Sequence, residues 1–332
     1  MALEKQEIVD ILYGFQKTQI LFSAGELGVF EELTNGPLSS KAIAAKIKAN
    51  PDATERLLNA CVGLKLLNKT LKDGETIYNN PDSTTKYLTK SSPDSVRWMT
   101  NLNVVYPMWG QLKDCVVKGD RVSSEEFFNY YVTPTTQLEF MRSMHIICSM
   151  DAPKLVNVFD LSSYSVACDL GGSTGSLAKA LVKAYPTMKV TVMDRSDVVQ
   201  QSRDFMSEGR SEAISYSGGD FFVDAFPDAD LYILAHTFHN WSPEKLDALL
   251  DKIMATMKSG GALLVLEKFL DEDKSGPMES LLLDMDMLLC AEGRERSLSE
   301  YKEKLEKHGF TDIKSKVVEN ALWYDAIICK KK

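Results

Sequence analysis

Apolar and polar positions alternate at helical spacing over residues 3–33, where Ile8, Ile11, Leu12, Phe15, Ile20, Leu21 and Phe22 form a broad apolar stripe ahead of Gly28. The pattern predicts one long helix followed by a shorter one. Gly36, Pro37 and Leu38 lead to Ser39, which suits the N-cap of a helix over 40–48. Asn50, Pro51 and Asp52 break it, and 53–67 reads as another helix, giving a helix-turn-helix. Segments 67–71 and 76–78 flank the turn Lys72-Asp73-Gly74-Glu75, a hairpin that completes a winged-helix pattern.

From Val166 the period changes. Val166-Ala-Cys-Asp-Leu170 is a short buried strand that opens into Gly171-Gly172-Ser173-Thr174-Gly175 and then a helix over 176–185. Strands at 189–193, 214–217, 229–235 and 262–267 alternate with helices at 198–207 and 244–258, the pattern of a doubly wound α/β sheet. The end of the chain departs from this alternation. Two β-like runs, 311–318 and 322–329, meet at Glu319 and Asn320 and predict an antiparallel hairpin at the end of a parallel sheet.

A length of 332 residues argues for two domains, placed at 1–105 and 106–332. With 44% hydrophobic and 26% charged residues, global disorder is excluded. The net charge of −9 offers no field for phosphate backbones or anionic lipid, and the apolar runs are interrupted by charge well before the roughly 18 residues of a membrane span. Nucleic acid and membrane are therefore not expected as partners. The same holds for the winged helix. In residues 1–110 ten Lys and two Arg balance twelve Asp and Glu, and the second helix of the motif offers only Arg56 and Lys65, so a dimerisation or lid role is expected over DNA binding. Glu4, Glu7 and Asp10 stand where a signal peptide carries basic residues. Six dispersed cysteines without Cys-x-x-Cys or zinc-finger spacing read as reduced thiols of a cytoplasmic protein, with no metal expected.

The glycine loop lies between a strand and a helix, where free N–H groups favour an anionic ligand group; it suits an NAD loop, an S-adenosylmethionine loop or a tight turn. Asp194, at the end of the next strand, is placed to accept both ribose hydroxyls. Gly218-Gly219-Asp220-Phe221-Phe222 follows the third strand, where a carboxylate beside an aromatic suits an adenine. The run from Leu231 to Trp241 leaves a buried strand at its C-terminal end, the usual place for an α/β active site, and brings His239 there; a packed core histidine is the competing reading.

These motifs, with Glu267 after a buried strand, His239-x-Trp241 and Gly293-Arg-Glu-Arg-Ser297, resemble S-adenosylmethionine-dependent O-methyltransferases with an N-terminal winged-helix dimerisation domain. The resemblance runs from Leu21-Phe-x-x-x-Glu-Leu-Gly-Val-Phe30 to the C-terminal hairpin. Asp230-Leu-Tyr-Ile-Leu-Ala235, Leu270-Asp-Glu-Asp273 and Tyr324-Asp-Ala-Ile327 look like the animal hydroxyindole (acetylserotonin) branch. It implies a Rossmann-like methyltransferase sheet after a mainly helical winged-helix domain, a homodimer, and methylation of a small aromatic hydroxyl. It further implies that Gly171, Asp194, Asp220 and Phe221 hold the cofactor, that His239 is the general base, and that Glu267 and Glu295 bracket its imidazole. Glu295 by itself, between Arg294 and Arg296, would read as a surface ion pair.

Some positions depart from that family. His236 stands where Arg, a cofactor contact, is usual, and Asn240 where Asp is usual. Asp286 and Cys290 occupy the places of amide side chains that grip an indole substrate; an ionised Asp accepts but does not donate, which favours N–H groups or a cation. Phe140 and Met144, one turn apart on a helix over 137–149, match an aromatic-Met pair that lines the acceptor pocket, while Trp109 reads as structural. A catalytically silent binding module is the alternative function; a nicotinamide oxidoreductase and a winged-helix regulator rank behind it.

Overall fold

In the computed structural model, which describes residues 3–97, Met99, 106–121, 134–206 and 211–332, the opening stripe folds as three helices: Lys5–Leu12, Gly14–Glu26 and Val29–Glu32. Tyr13 separates the first two, and Gly28, at φ +76°, takes the left-handed step before the third. The stripe divides by burial. Ile20 and Leu21 pack against a core of Val29, Phe30, Ile43, Leu58 and Tyr78, and Phe22 is buried, whereas Ile8, Ile11 and Phe15 are 48%, 67% and 56% exposed.

The break between the two helices falls before Pro51, which itself opens the second helix two residues ahead of the expected start at Ala53. The Asn50 side chain accepts the Ala53 N–H at 3.0 Å, and proline in the first turn forfeits no intrahelical bond, so the helix runs Pro51–Gly63 and stops short of residue 67. With the helix Ser40–Lys46 before it, it packs beside a three-stranded antiparallel sheet, β1 (Leu38–Ser39), β3 (Glu75–Asn79) and β2 (Asn68–Lys72), in the order β1-β3-β2. This is the winged helix. Contacts divide the chain into Met1–Pro107 and Met108–Lys332.

The second unit is built on β4 (Val166–Leu170), β5 (Lys189–Asp194), β6 (Ile214–Gly218), β7 (Leu231–Ala235), β8 (Ala262–Glu267), β9 (Phe310–Lys316) and β10 (Asp325–Lys331). The sheet order is β6-β5-β4-β7-β8-β10-β9; the first five strands are parallel, and β10 runs antiparallel between β8 and β9. The hairpin thus inserts β10 beside β8, where a dinucleotide-binding sheet of order 3-2-1-4-5-6 carries its sixth parallel strand, so the topology differs from that expected of a nicotinamide oxidoreductase. Every residue of β8 is buried, with Leu246, Leu249, Leu250 and Ile253 of the helix Pro243–Thr256 in the same core. The helix Ser196–Met206 replaces the expected 198–207, whose last residue lies outside the described residues.

β10 begins three residues later than the apolar pattern indicates. The N–H groups of Leu322 and Trp323 donate to the Asp151 carboxylate at 3.0 and 3.2 Å, so they are unavailable to a ladder. Asp325 in turn accepts the N–H groups of Val318 and Phe269 at 2.9 and 3.1 Å and faces the Lys268 ammonium at 3.3 Å, all buried. The loop before β10 is therefore clamped against the C-terminal end of β8. Among the described residues no helix is long and apolar enough to cross a membrane.

Candidate active site

The chain leaves β7 at Ala235 and turns through His236 (φ +47°) into a 3₁₀ turn, Phe238–Asn240. Three contacts fix the turn. The Thr237 hydroxyl donates to the Leu170 carbonyl at 3.2 Å, and the N–H groups of Thr237 and Phe238 donate to Glu267 Oε1 at 2.9 and 2.7 Å. Glu267, fully buried at the end of β8, thus holds the turn with one oxygen and presents the other, Oε2, 3.3 Å from His239 Nδ1.

The second carboxylate comes from farther along the chain. Glu295 Oε1 lies 2.5 Å from the same Nδ1, and both residues are buried. Its segment is anchored twice. The Glu295 N–H donates to Asp284 Oδ1 at 2.8 Å, and Glu292 N–H donates to the Asn240 carbonyl at 3.1 Å. Between them Gly293 packs so tightly that a Cβ there would collide with the backbone of His239 and Trp241. Sequence reasoning singled out neither Asp284 nor the packing role of Gly293.

Both carboxylates approach Nδ1, which leaves Nε2 for a substrate. Burial pushes the His239 imidazole down, but Glu267 and Glu295 outweigh it and raise the group to about 9, well above the ordinary histidine value expected from the sequence. Burial raises Glu267 to about 7 against the pull of His239. The same three side chains offer ligand atoms close enough to hold a metal ion. As they stand, Nδ1 is at hydrogen-bond distance from Glu295 Oε1 and 3.3 Å from Glu267 Oε2.

On the other side of β7 the glycine loop and Asp194 form a cradle. Gly171 sits at φ +83°, and a Cβ on Gly172 would collide with the Asp169 carboxylate. Asp194 accepts the N–H of Ser173 and of Arg195, each at 2.8 Å, one on each oxygen, so each oxygen keeps capacity for a ligand hydroxyl. Asp169, 1% exposed, has neither carboxylate oxygen hydrogen-bonded within the described residues, and burial with Asp194 nearby raises it to about 7. Such a group is suited to a ligand that brings N–H donors or positive charge. Asp220 is exposed at the rim, where Phe221 packs on Phe222 and edge-on to Trp241, with ring centroids 4.9 and 5.6 Å apart. A diol, a cation and a flat ring are what these residues fit.

His236 lies between the two regions. Its ring stacks on Tyr324 at 4.2 Å with Nε2 2.7 Å from the Trp323 carbonyl, and burial followed by His239 pushes it down to about 3. It is neutral and brings no positive charge to the place where an Arg was expected. Asn240 donates to the His236 carbonyl at 2.9 Å and fastens the turn.

The helix Pro134–Leu155 carries Phe140 and Met144, both partly buried, and ties itself to the glycine loop through His145 Nδ1 and the Thr174 hydroxyl at 2.8 Å. Sequence reasoning passed over His145. On the helix Met278–Cys290, the Cys290 thiol donates to the Asp286 carbonyl at 2.8 Å. Burial raises the Asp286 carboxyl to about 6, with the nearby Trp109 side chain acting against that rise.

Comparison with known proteins gives the family. Residues 109–311 match the family model of the O-methyltransferase domain, and residues 9–90 match that of the O-methyltransferase dimerisation domain. The chain is 38% identical over 330 residues to acetylserotonin O-methyltransferase of Bos taurus, covering 96% of this chain and 95% of the relative. The crystal structure of human N-acetylserotonin methyltransferase in complex with SAM superposes with a TM-score of 0.93 at 38% identity, covering 99% of each chain. The structure of the mitomycin 7-O-methyltransferase MmcR superposes at 0.85 with 26% identity, covering 98% of this chain and 97% of that one. With its catalytic-domain and dimerisation-domain matches in this order, and a relative this similar over nearly its whole length, the chain belongs to the O-methyltransferase family.

Proposed function

We propose that His239 is the general base with which this S-adenosylmethionine-dependent O-methyltransferase deprotonates the hydroxyl of a small aromatic acceptor, N-acetylserotonin or a related hydroxyindole. The observation that carries the reading is the buried His239–Glu295 contact at 2.5 Å with Glu267 behind it.

A phenolic hydroxyl near pKa ~10 is a poor nucleophile at neutral pH, and an imidazole near ~6.5 would take its proton only uphill. The two carboxylates bring His239 to about 9, so its Nε2 nearly matches the phenol, and transfer during attack is close to balanced. Glu295 fixes the Nδ1–H tautomer, and both carboxylates stabilise the imidazolium. S-adenosylmethionine, when bound, supplies a methyl group on a positively charged sulfur. Asp194 would accept its ribose hydroxyls, Asp220 and Phe221 would border the adenine, Gly171 would let the backbone approach, and His236, its ring centroid 5.1 Å from that of His239, would stand between cofactor and base. Phe140 and Met144, with Asp286 and Cys290, would wall the acceptor.

The exposed stripe of Ile8, Ile11 and Phe15 supports a homodimer, because an apolar face of this kind on a dimerisation domain calls for cover by a second copy. Six cysteines, none of them paired, fit the cytoplasm. No observation favours a silent binding module. A screen of hydroxyindoles, catechols and simple phenols with labelled S-adenosylmethionine tests the reading: a hydroxyindole is methylated on oxygen, and transfer to none of them would overturn it.

A further inference from the structure

The glycine loop is held in a shape that its backbone does not favour. Gly171 and Gly175 sit at φ +83° and +72°, and between them Ser173, which carries a Cβ, sits at φ +48°. A left-handed serine is disfavoured in a free chain and persists where the surroundings hold it. The sheet supplies part of that hold. The Met193 carbonyl accepts the Gly171 N–H at 2.7 Å, Asp194 accepts the Ser173 N–H at 2.8 Å, and the Tyr216 hydroxyl of β6 donates to the Thr174 carbonyl at 3.0 Å. A helix supplies the rest: His145 Nδ1, on Pro134–Leu155, lies 2.8 Å from the Thr174 hydroxyl, and Thr174 is 1% exposed.

That helix is itself fixed to the cradle. Gln137, earlier on it and buried, donates to Asp197 at 2.8 Å, and Asp197 also accepts the guanidinium of Arg195, the residue after Asp194. Burial, then Lys179, pushes the His145 imidazole down to about 4, so the ring is neutral at physiological pH and one hydrogen bond joins it to the Thr174 hydroxyl, whichever of the two donates. We propose that His145 is a positioning residue for the cofactor: through the Thr174 hydroxyl it keeps the glycine loop in the shape that receives S-adenosylmethionine. The inference rests on the reading of the glycine loop and Asp194 as the cofactor cradle. His145 acts on the loop, so its loss falls on cofactor affinity and leaves the methyl-transfer step at saturating cofactor.

The experiment is calorimetry with S-adenosylhomocysteine on the purified full chain. His145→Leu, and Thr174→Val, which removes the hydroxyl at nearly constant volume, each raise Kd about three- to tenfold. The double variant binds no more weakly than the weaker single, because both changes break the same bond. Thr174→Ser keeps the hydroxyl and restores the affinity. In steady-state assays of the single variants the KM for S-adenosylmethionine rises by the same factor while kcat at saturating cofactor is kept, a split that a general loss of folded enzyme does not give. A Kd within a factor of about two of wild type in both singles, or losses that multiply in the double variant, overturns the inference. Asp194→Ala, measured alongside, separates it from the cradle reading: weaker binding there, with none lost in the His145 and Thr174 variants, leaves that reading standing, and unchanged affinity in all three single variants overturns both.

Discussion

Gly293 and His239 touch backbone to backbone: no side chain fits at Gly293 without striking the His239 carbonyl, and this contact sets the approach of Glu295, two residues later, to the His239 ring. Substitution by the smallest side chain therefore tests the geometry of the pair without touching its chemistry. Gly293→Ala is expected to lower kcat about tenfold or more and to leave S-adenosylhomocysteine affinity nearly unchanged, as read by steady-state kinetics and calorimetry. Wild-type kcat in this variant would mean that the close packing does not position Glu295.

The pH profile follows from the carboxylates around Nδ1. Only neutral imidazole accepts a proton, and His239 is raised to about 9, so kcat climbs with pH and levels near 9 instead of near the ordinary histidine value. Glu295→Gln removes one of the two raising charges; the inflection then moves to lower pH and kcat falls about tenfold, because a glutamine orients the ring without neutralising it. An inflection that stays in place in Glu295→Gln would contradict the electrostatic account.

Asp194 engages two backbone N–H groups and keeps one oxygen position each for a diol. Asp194→Ala should weaken S-adenosylhomocysteine binding roughly ten- to hundredfold by calorimetry, the effect of losing hydrogen bonds to a charged acceptor. Unchanged affinity would move the ribose site elsewhere.

For the first unit, light scattering should report about twice the 37.1 kDa chain mass at micromolar concentration. Ile11→Glu with Phe15→Glu should halve it, since charges on an apolar contact face are costly to bury. A wild-type monomer would contradict the homodimer.

What could be read from the sequence depended on whether the controlling interaction was local. β4 and β8 are continuous apolar runs between turn signals, and their ends fall where that pattern puts them. Pro51 marked the break between two helices, but the second starts at Pro51 and not at Ala53, because proline suits a first turn and the deciding contact was the Asn50 side chain on Ala53. The start of β10 was not legible, because Leu322 and Trp323 give their N–H groups to Asp151, far back in the chain. Glu295 came only from family resemblance. Its pattern reads as a surface charge between arginines, and its burial depends on the distant Asp284 and on Gly293 closing against the turn at His239. The raised basicity of His239 needed both carboxylates in place, which no spacing reveals.

The most direct test of the central claim is His239→Ala, assayed for turnover and for S-adenosylhomocysteine binding in the same preparation. Loss of the base should cut kcat by about two to four decades while binding stays nearly unchanged, and raising the pH should partly rescue turnover as the phenol ionises unaided. Methylation that persists undiminished at neutral pH in His239→Ala would contradict the account and leave His239 a packed core histidine.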